Sequence, residues 1–175
     1  MGAACIGICT NSTTVATGQS VFATNISKSL QRIVSSCDES IALSGDRDKQ
    51  NLISRLSQIV SECSSENWDG CDALPISVGA SKNTEQFINV IPAGLPLPEC
   101  APENDGAISL DWTLSRYRRF SVSLDDSDRL AYAWMDGEGN TGSAVEKFDG
   151  TKIPVKMYSI LIDIIVNENT AVRAA

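Results

Sequence analysis

The chain has 175 residues, 22 of them acidic and 14 basic, for a formal net charge of −8 and no histidine. That length can bury one sizeable core, so a single domain over 1–175 is expected, with a helical part over 1–66 and an α+β core over 67–175. The acidic balance argues against nucleic acid or an anionic membrane as a direct partner, because binding phosphate needs basic clusters.

Residues 1 to about 20 are rich in Gly, Ser and Thr and read as an irregular lead-in or a short strand around Val15. From Asn25, a candidate cap, Ile26, Leu30, Ile33, Val34 and Cys37 recur at helical spacing. After a break at Ser44-Gly45, Leu52, Ile53, Leu56, Ile59, Val60 and Cys63 define a second helix, opened near Asp46 or Asp48 and closed before Asn67. The two can pair as a hairpin. Asn67-Trp68-Asp69-Gly70 is a loop anchored by its indole. Ser77 caps a third helix, which turns Phe87, Ile88 and Ile91 inward and stops at Pro92.

Antiparallel sheet follows. Leu97–Ala101 and Ala107–Trp112 read as a hairpin across Asp105-Gly106. Phe120, Val122 and Leu124 alternate with serines, and Asp125–Asp128 turns the chain into a strand carrying Leu130, Tyr132 and Trp134. Asp136–Asn140 turns it again, into a strand ending near Phe148. Ile153, Met157, Ile160, Leu161, Ile164 and Ile165 then form a last helical stripe. The expected fold is α+β, with four to five antiparallel strands covered on one face by helices. Ile108, Leu110, Trp112, Phe120, Val122, Leu124, Leu130, Tyr132 and Trp134 share the parity that faces the helices. Ser109, Asp111, Arg119, Ser121, Ser123, Ala131 and Ala133 take the other face, which is either solvated or a docking surface.

Several motifs lie along this part of the chain. They are Trp68-Asp69-Gly70 with Ala73 and Pro75, Leu95-Pro96-Leu97-Pro98-Glu99, Pro102, Asp105-Gly106 and Leu110-Asp111-Trp112. Arg119–Ser123, Arg129–Trp134, Phe148-Asp149-Gly150 and Ile153-Pro154 continue the series. In this order they resemble a widespread group of uncharacterised bacterial proteins, over roughly residues 67–165. Members of that group often carry Gly-His-Gly before Phe-Asp-Gly, where this chain has Asn140-Thr141-Gly142-Ser143. The resemblance implies a bacterial or phage cytosolic setting, among mobile or defence-associated genes, and implies no activity.

No apolar run reaches membrane length and no leader pattern is found, so a cytoplasmic location is expected. Met1-Gly2 lacks the acylation context, because Ile6 stands where Ser or Thr is needed. The six cysteines include no Cys-x-x-Cys pair and read as reduced, structural thiols rather than zinc ligands. Serine catalysis has no histidine to draw on, and neither a nucleophile elbow nor a phosphate-cradling loop occurs. Asp136-x-Glu138-x-Asn140 fails as a calcium loop at Thr141 and Lys147. The enzymatic alternative is a divalent metal between Asp111, Asp136 and Asp149, brought together at one sheet end. Arg116, Arg118 and Arg119 are the basic cluster, expected to be solvated and paired with Asp125 or Asp126.

The reading is therefore a non-catalytic acidic module that binds a protein partner with a basic surface and needs no cofactor or metal. An inhibitor of nucleic-acid-handling or bacterial immunity machinery, in the manner of anti-CRISPR proteins, is its concrete version. An antitoxin-like partner of a neighbouring gene product is an alternative. The candidate partner-binding residues are Asp69, Asp72, Asp111, Arg119, Asp125, Asp126, Asp128, Asp136 and Glu138.

Overall fold

The structure, a computed structural model, describes residues 45–166, which fall within one unit, Ser40–Ala175. The lead-in, the helix expected from Asn25, and Cys5, Cys9 and Cys37 lie outside the described residues. Helix α1 covers 45–62, α2 Val78–Val90 and α3 Val155–Val166. The strands are β1 Glu99–Pro102, β2 Ile108–Ser115, β3 Arg118–Leu124, β4 Arg129–Asp136 and β5 Thr141–Lys147. They form a five-stranded antiparallel meander in the order β1-β2-β3-β4-β5. The protein is α+β, with helices packed on this sheet.

Alternation decides the layering. On β3, Phe120, Val122 and Leu124 are buried while Ser121 and Ser123 are half-exposed on the other side. The neighbouring strands repeat the pattern, so one face is apolar and needs a cover. The stripe of α1 (Leu56, Ile59), that of α2 (Phe87, Ile88) and that of α3 (Met157, Leu161, Ile164) join this face in one core. α2 lies against β2 and β3, and α3 against β3 and β4. Each large side chain buried there contributes on the order of 1.5–3 kcal/mol.

An aromatic row runs through that core. Trp112 and Phe120 meet edge-on with centroids 5.9 Å apart, Phe120 stacks on Tyr132 at 5.8 Å, and Tyr132 on Trp134 at 6.0 Å. The indole N–H of Trp112 donates to the Pro96 carbonyl at 2.8 Å, tying β2 to the proline-rich segment. Ser77 caps α2 by accepting from the Ala80 N–H at 2.9 Å. The helix ends at Ile91, held extended by Pro92.

The loop from Asn67 to Ser77 is built by its own polar groups and then docked on a turn. Asp69 Oδ1 accepts from the N–H of Cys71 and of Ala73, and Trp68 Nε1 donates to the Leu74 carbonyl. Leu74 N–H then donates to the Asn104 carbonyl, and Ser77 N–H to that of Gly106. Gly106 is required there. It has φ +86°, and a β-carbon would lie 2.8 Å from the Pro75 carbonyl oxygen.

Candidate functional site

The helices cover one face of the sheet, and the opposite face carries the polar chemistry. Register brings Asp111 on β2 opposite Ser121 on β3, so their side chains rise together on the side away from the described helices. Ser121 Oγ donates to Asp111 Oδ1 at 2.5 Å. Ser109, two residues earlier on the same face, donates to Asp111 Oδ2 at 3.0 Å. Both carboxylate oxygens are thus held by hydroxyls. Glu103 continues the parity of β1 past Pro102 and accepts from Ser123 Oγ at 2.9 Å. Glu99 stands opposite Asp111 in register and is exposed. The β1–β3 half of the face is therefore an acidic strip fixed by serines.

The β3–β5 half is different. A shallow depression of about 310 Å³ lies over Ser121, Ser123, Ala131, Ala133, Ser143 and Val145. Its floor is made of short side chains, so a partner can approach the sheet closely. Val145 is 52% exposed and forms the apolar rim.

Electrostatics distinguishes Glu103 from the acids in turns. Burial pushes the Glu103 carboxyl above its ordinary value, Ser123 opposes this, and the charges of Asp105 and Asp111 add to the rise. The turn aspartates shift the other way. Asp125 is lowered by the Ser127 hydroxyl, Asp136 by the Asn140 amide and Asp149 by the Thr151 hydroxyl. Those carboxylates stabilise their own turns.

The nine sequence-derived candidates do not form one surface. Asp69 is spent on its own loop, and the neighbouring Asp72, at φ +65°, donates its N–H to Asn67 Oδ1. Asp125, Asp126 and Asp128 sit in the β3–β4 turn, and Asp128 lies 3.5 Å from Lys147 in an exposed pair. Asp136 and Glu138 occupy the β4–β5 turn, where Asp136 accepts from the Glu138 and Asn140 N–H groups and from Asn140 Nδ2. The length of β4, roughly 26 Å at strand rise, separates these two turns. Only Asp111 and Arg119 belong to the open face, with Arg119 exposed at its far end opposite Thr113.

Two further expectations are corrected by topology. Arg118 and Arg119 open β3 and Asp125 follows its other end, so the expected pairing with Asp125 or Asp126 does not form. Arg118 instead donates to the Asp163 carbonyl near the end of α3 at 3.1 Å. Asp111, Asp136 and Asp149 do not meet either, because β5 runs between Asp136 and Asp149. Among the described residues no group of three or more side chains is placed to hold a metal ion.

Glu103 is the residue of this face that the sequence reading does not reach, although the parity Glu99, Ala101, Glu103 points to it. Ser123 shares the polar parity of Ser121, and the structure adds its bond to Glu103. The Ser–Asp contacts hold a carboxylate rather than activate a nucleophile, since an unaided carboxylate is too weak a base to take a serine proton. Cys63, Cys71 and Cys100 are free thiols, and burial pushes Cys100 up to about 11, which keeps it protonated. No helix among the described residues is long and apolar enough to cross a membrane.

No family model matches the chain, and no curated protein and no solved structure matches it.

Proposed function

We propose that this chain is a non-catalytic binding module that docks a basic protein surface on the open face of its sheet. The observation carrying this reading is the pair Asp111 and Glu103, held in place by Ser109, Ser121 and Ser123 on the face opposite the described helices. Fixed carboxylates lose little side-chain freedom when a lysine or arginine arrives, so more of the attraction remains as affinity. The small-residue floor beside them admits the partner's backbone or an apolar side chain. A net charge of −8 steers such a partner toward the molecule and disfavours acidic ones.

A nucleic-acid-binding channel of a bacterial immunity or nucleic-acid-handling enzyme is the concrete partner of this kind. Blocking it by imitating phosphate would make the chain an inhibitor, and the motif resemblance supports a bacterial or phage setting. Native co-purification from a bacterial lysate tests this, using the wild type, the pair Asp111→Asn and Glu103→Gln, and a turn variant with Asp125, Asp126 and Asp128 changed to Asn. The expected result is a retained basic partner lost only in the open-face pair. Loss only in the turn variant, or capture of no partner, overturns it.

A further inference from the structure

β5 is an edge of the sheet, and its outer side carries no backbone hydrogen bond among the described residues. Which groups face outward follows from the ladder. Phe148 N–H donates to the Asp128 carbonyl at 2.8 Å and Asp136 N–H to that of Asn140 at 3.1 Å, at the two ends of the β4–β5 pairing. In an antiparallel pair the bonded positions alternate, so the even-numbered residues of β5 bond to β4. Thr141, Ser143, Val145 and Lys147 therefore turn their N–H and C=O groups away from the sheet.

Sheet edges are ordinarily guarded by shortness, by proline or by free charge. β1, at the other edge, has 4 residues, ends on Pro102 and follows Pro98. β5 has 7 residues and no proline. Its Glu146 is turned to the helix side, where the Tyr132 hydroxyl donates to it at 2.6 Å, and Lys147 stands at the last position. The middle of the strand, Gly142 to Val145, is uncharged.

We propose that β5 pairs antiparallel with β5 of a second copy of this chain, about a two-fold axis through Ala144. That register sets Ser143 against the second copy's Val145 and Thr141 against its Lys147, each pair made of outward-bonding residues. Ala144 faces its own counterpart, and Gly142 faces Glu146, so no like charges stand opposite one another. Each Lys147 arrives beside the other copy's β4–β5 turn, which carries Asp136 and Glu138. The opposed charge fixes direction and register, and an isologous pair of this kind closes as a dimer.

Sedimentation across micromolar concentrations of the full chain tests the pairing. The wild type is expected to reach twice the monomer mass. Ser143→Pro removes an outward N–H that bonds to no described residue, and is expected to return the monomer mass with unchanged far-UV circular dichroism. Should that variant fail to fold, Val145→Lys sets like charges diagonally across the axis and is expected to do the same. Ala144→Cys is expected to cross-link copies under mild oxidation far beyond the wild-type level. A monomeric wild type, a dimer persisting in the folded edge variant, or no excess cross-link at position 144 each overturns the proposal. Failure here is separable from failure of the open-face reading, because oligomeric mass is read without any partner present and the co-purification variants at Asp111 and Glu103 leave β5 unchanged.

Discussion

The indole of Trp134 fills the space where any side chain at Gly142 would begin. A β-carbon on Gly142 would sit 2.8 Å from Cε2 of Trp134 and closer still to Cζ2 and Cη2. The two residues are register partners between β4 and β5, at the end of a row that runs from Trp112 through Phe120. The bare backbone of β5 thus completes the aromatic layer. Gly142→Ala must push the indole off its neighbours, and about 1–3 kcal/mol of stability is expected to be lost. Urea unfolding measures it, and a matching change in near-UV circular dichroism would report the displaced tryptophan.

Trp112 and Asp111 are adjacent on β2 and serve opposite faces. Trp112 is 3% exposed, so Trp112→Ala is expected to cost on the order of 3–5 kcal/mol. Trp112→Phe keeps most of the packing but forfeits the bond to the Pro96 carbonyl, at about 1–2 kcal/mol. Asp111→Ala is the milder change. The side chain accepts from Ser109 and Ser121, so a loss of about 1 kcal/mol is expected. Denaturation of the three variants in parallel gives the order, and a harmless Trp112→Ala would invert the assigned faces.

Strand parity was legible because Ile108, Leu110 and Trp112 alternate strictly with polar residues, and a pleat offers such a pattern only one arrangement. The turn aspartates were legible as turn residues, but the bonds they make there were not. Asp125 and Asp136 chiefly bond their own turns, and composition does not separate a turn-capping carboxylate from a free one. The docking of Leu74 and Ser77 on the 104–106 turn was not legible, since backbone-to-backbone bonds leave no periodic trace. Nor was the Ser121–Asp111 contact, which depends on a register shift between Thr113 and Ser115 that sequence does not announce.

Asn83 clamps the turn between β3 and β4 onto α2. Its side-chain amide donates to the carbonyls of Asp125 and Ser127, each at 2.8 Å, and the same turn touches α2 where a β-carbon on Gly79 would lie 2.8 Å from Asp126 Cα. Asn83→Ala is expected to cost about 1–2 kcal/mol by leaving two carbonyls to water. Hydrogen exchange should register the change first in residues 124–130, while amides of β2 keep their protection. Equal loosening of both regions would contradict a local clamp.

Glu103 trades stability for a charge on the open face, and the sign can be read from pH. Its folded value is raised above 4.5, chiefly by burial, so at lower pH the carboxyl is neutral in both states and contributes nothing. As pH rises through 4.5 the unfolded chain ionises first, and the folded state loses stability until its own group ionises too. Glu103→Gln removes this loss while keeping an oxygen for the Ser123 hydroxyl. The variant is therefore expected to match the wild type in acid and to melt higher at neutral pH, the gap opening above pH 4.5. Thermal melts at a series of pH values measure the gap, and co-purification at neutral pH should show the partner bound more weakly. A variant that melts lower than the wild type at neutral pH would mean that Glu103 is stabilised as a carboxylate, and the burial cost assigned to its charge would be withdrawn.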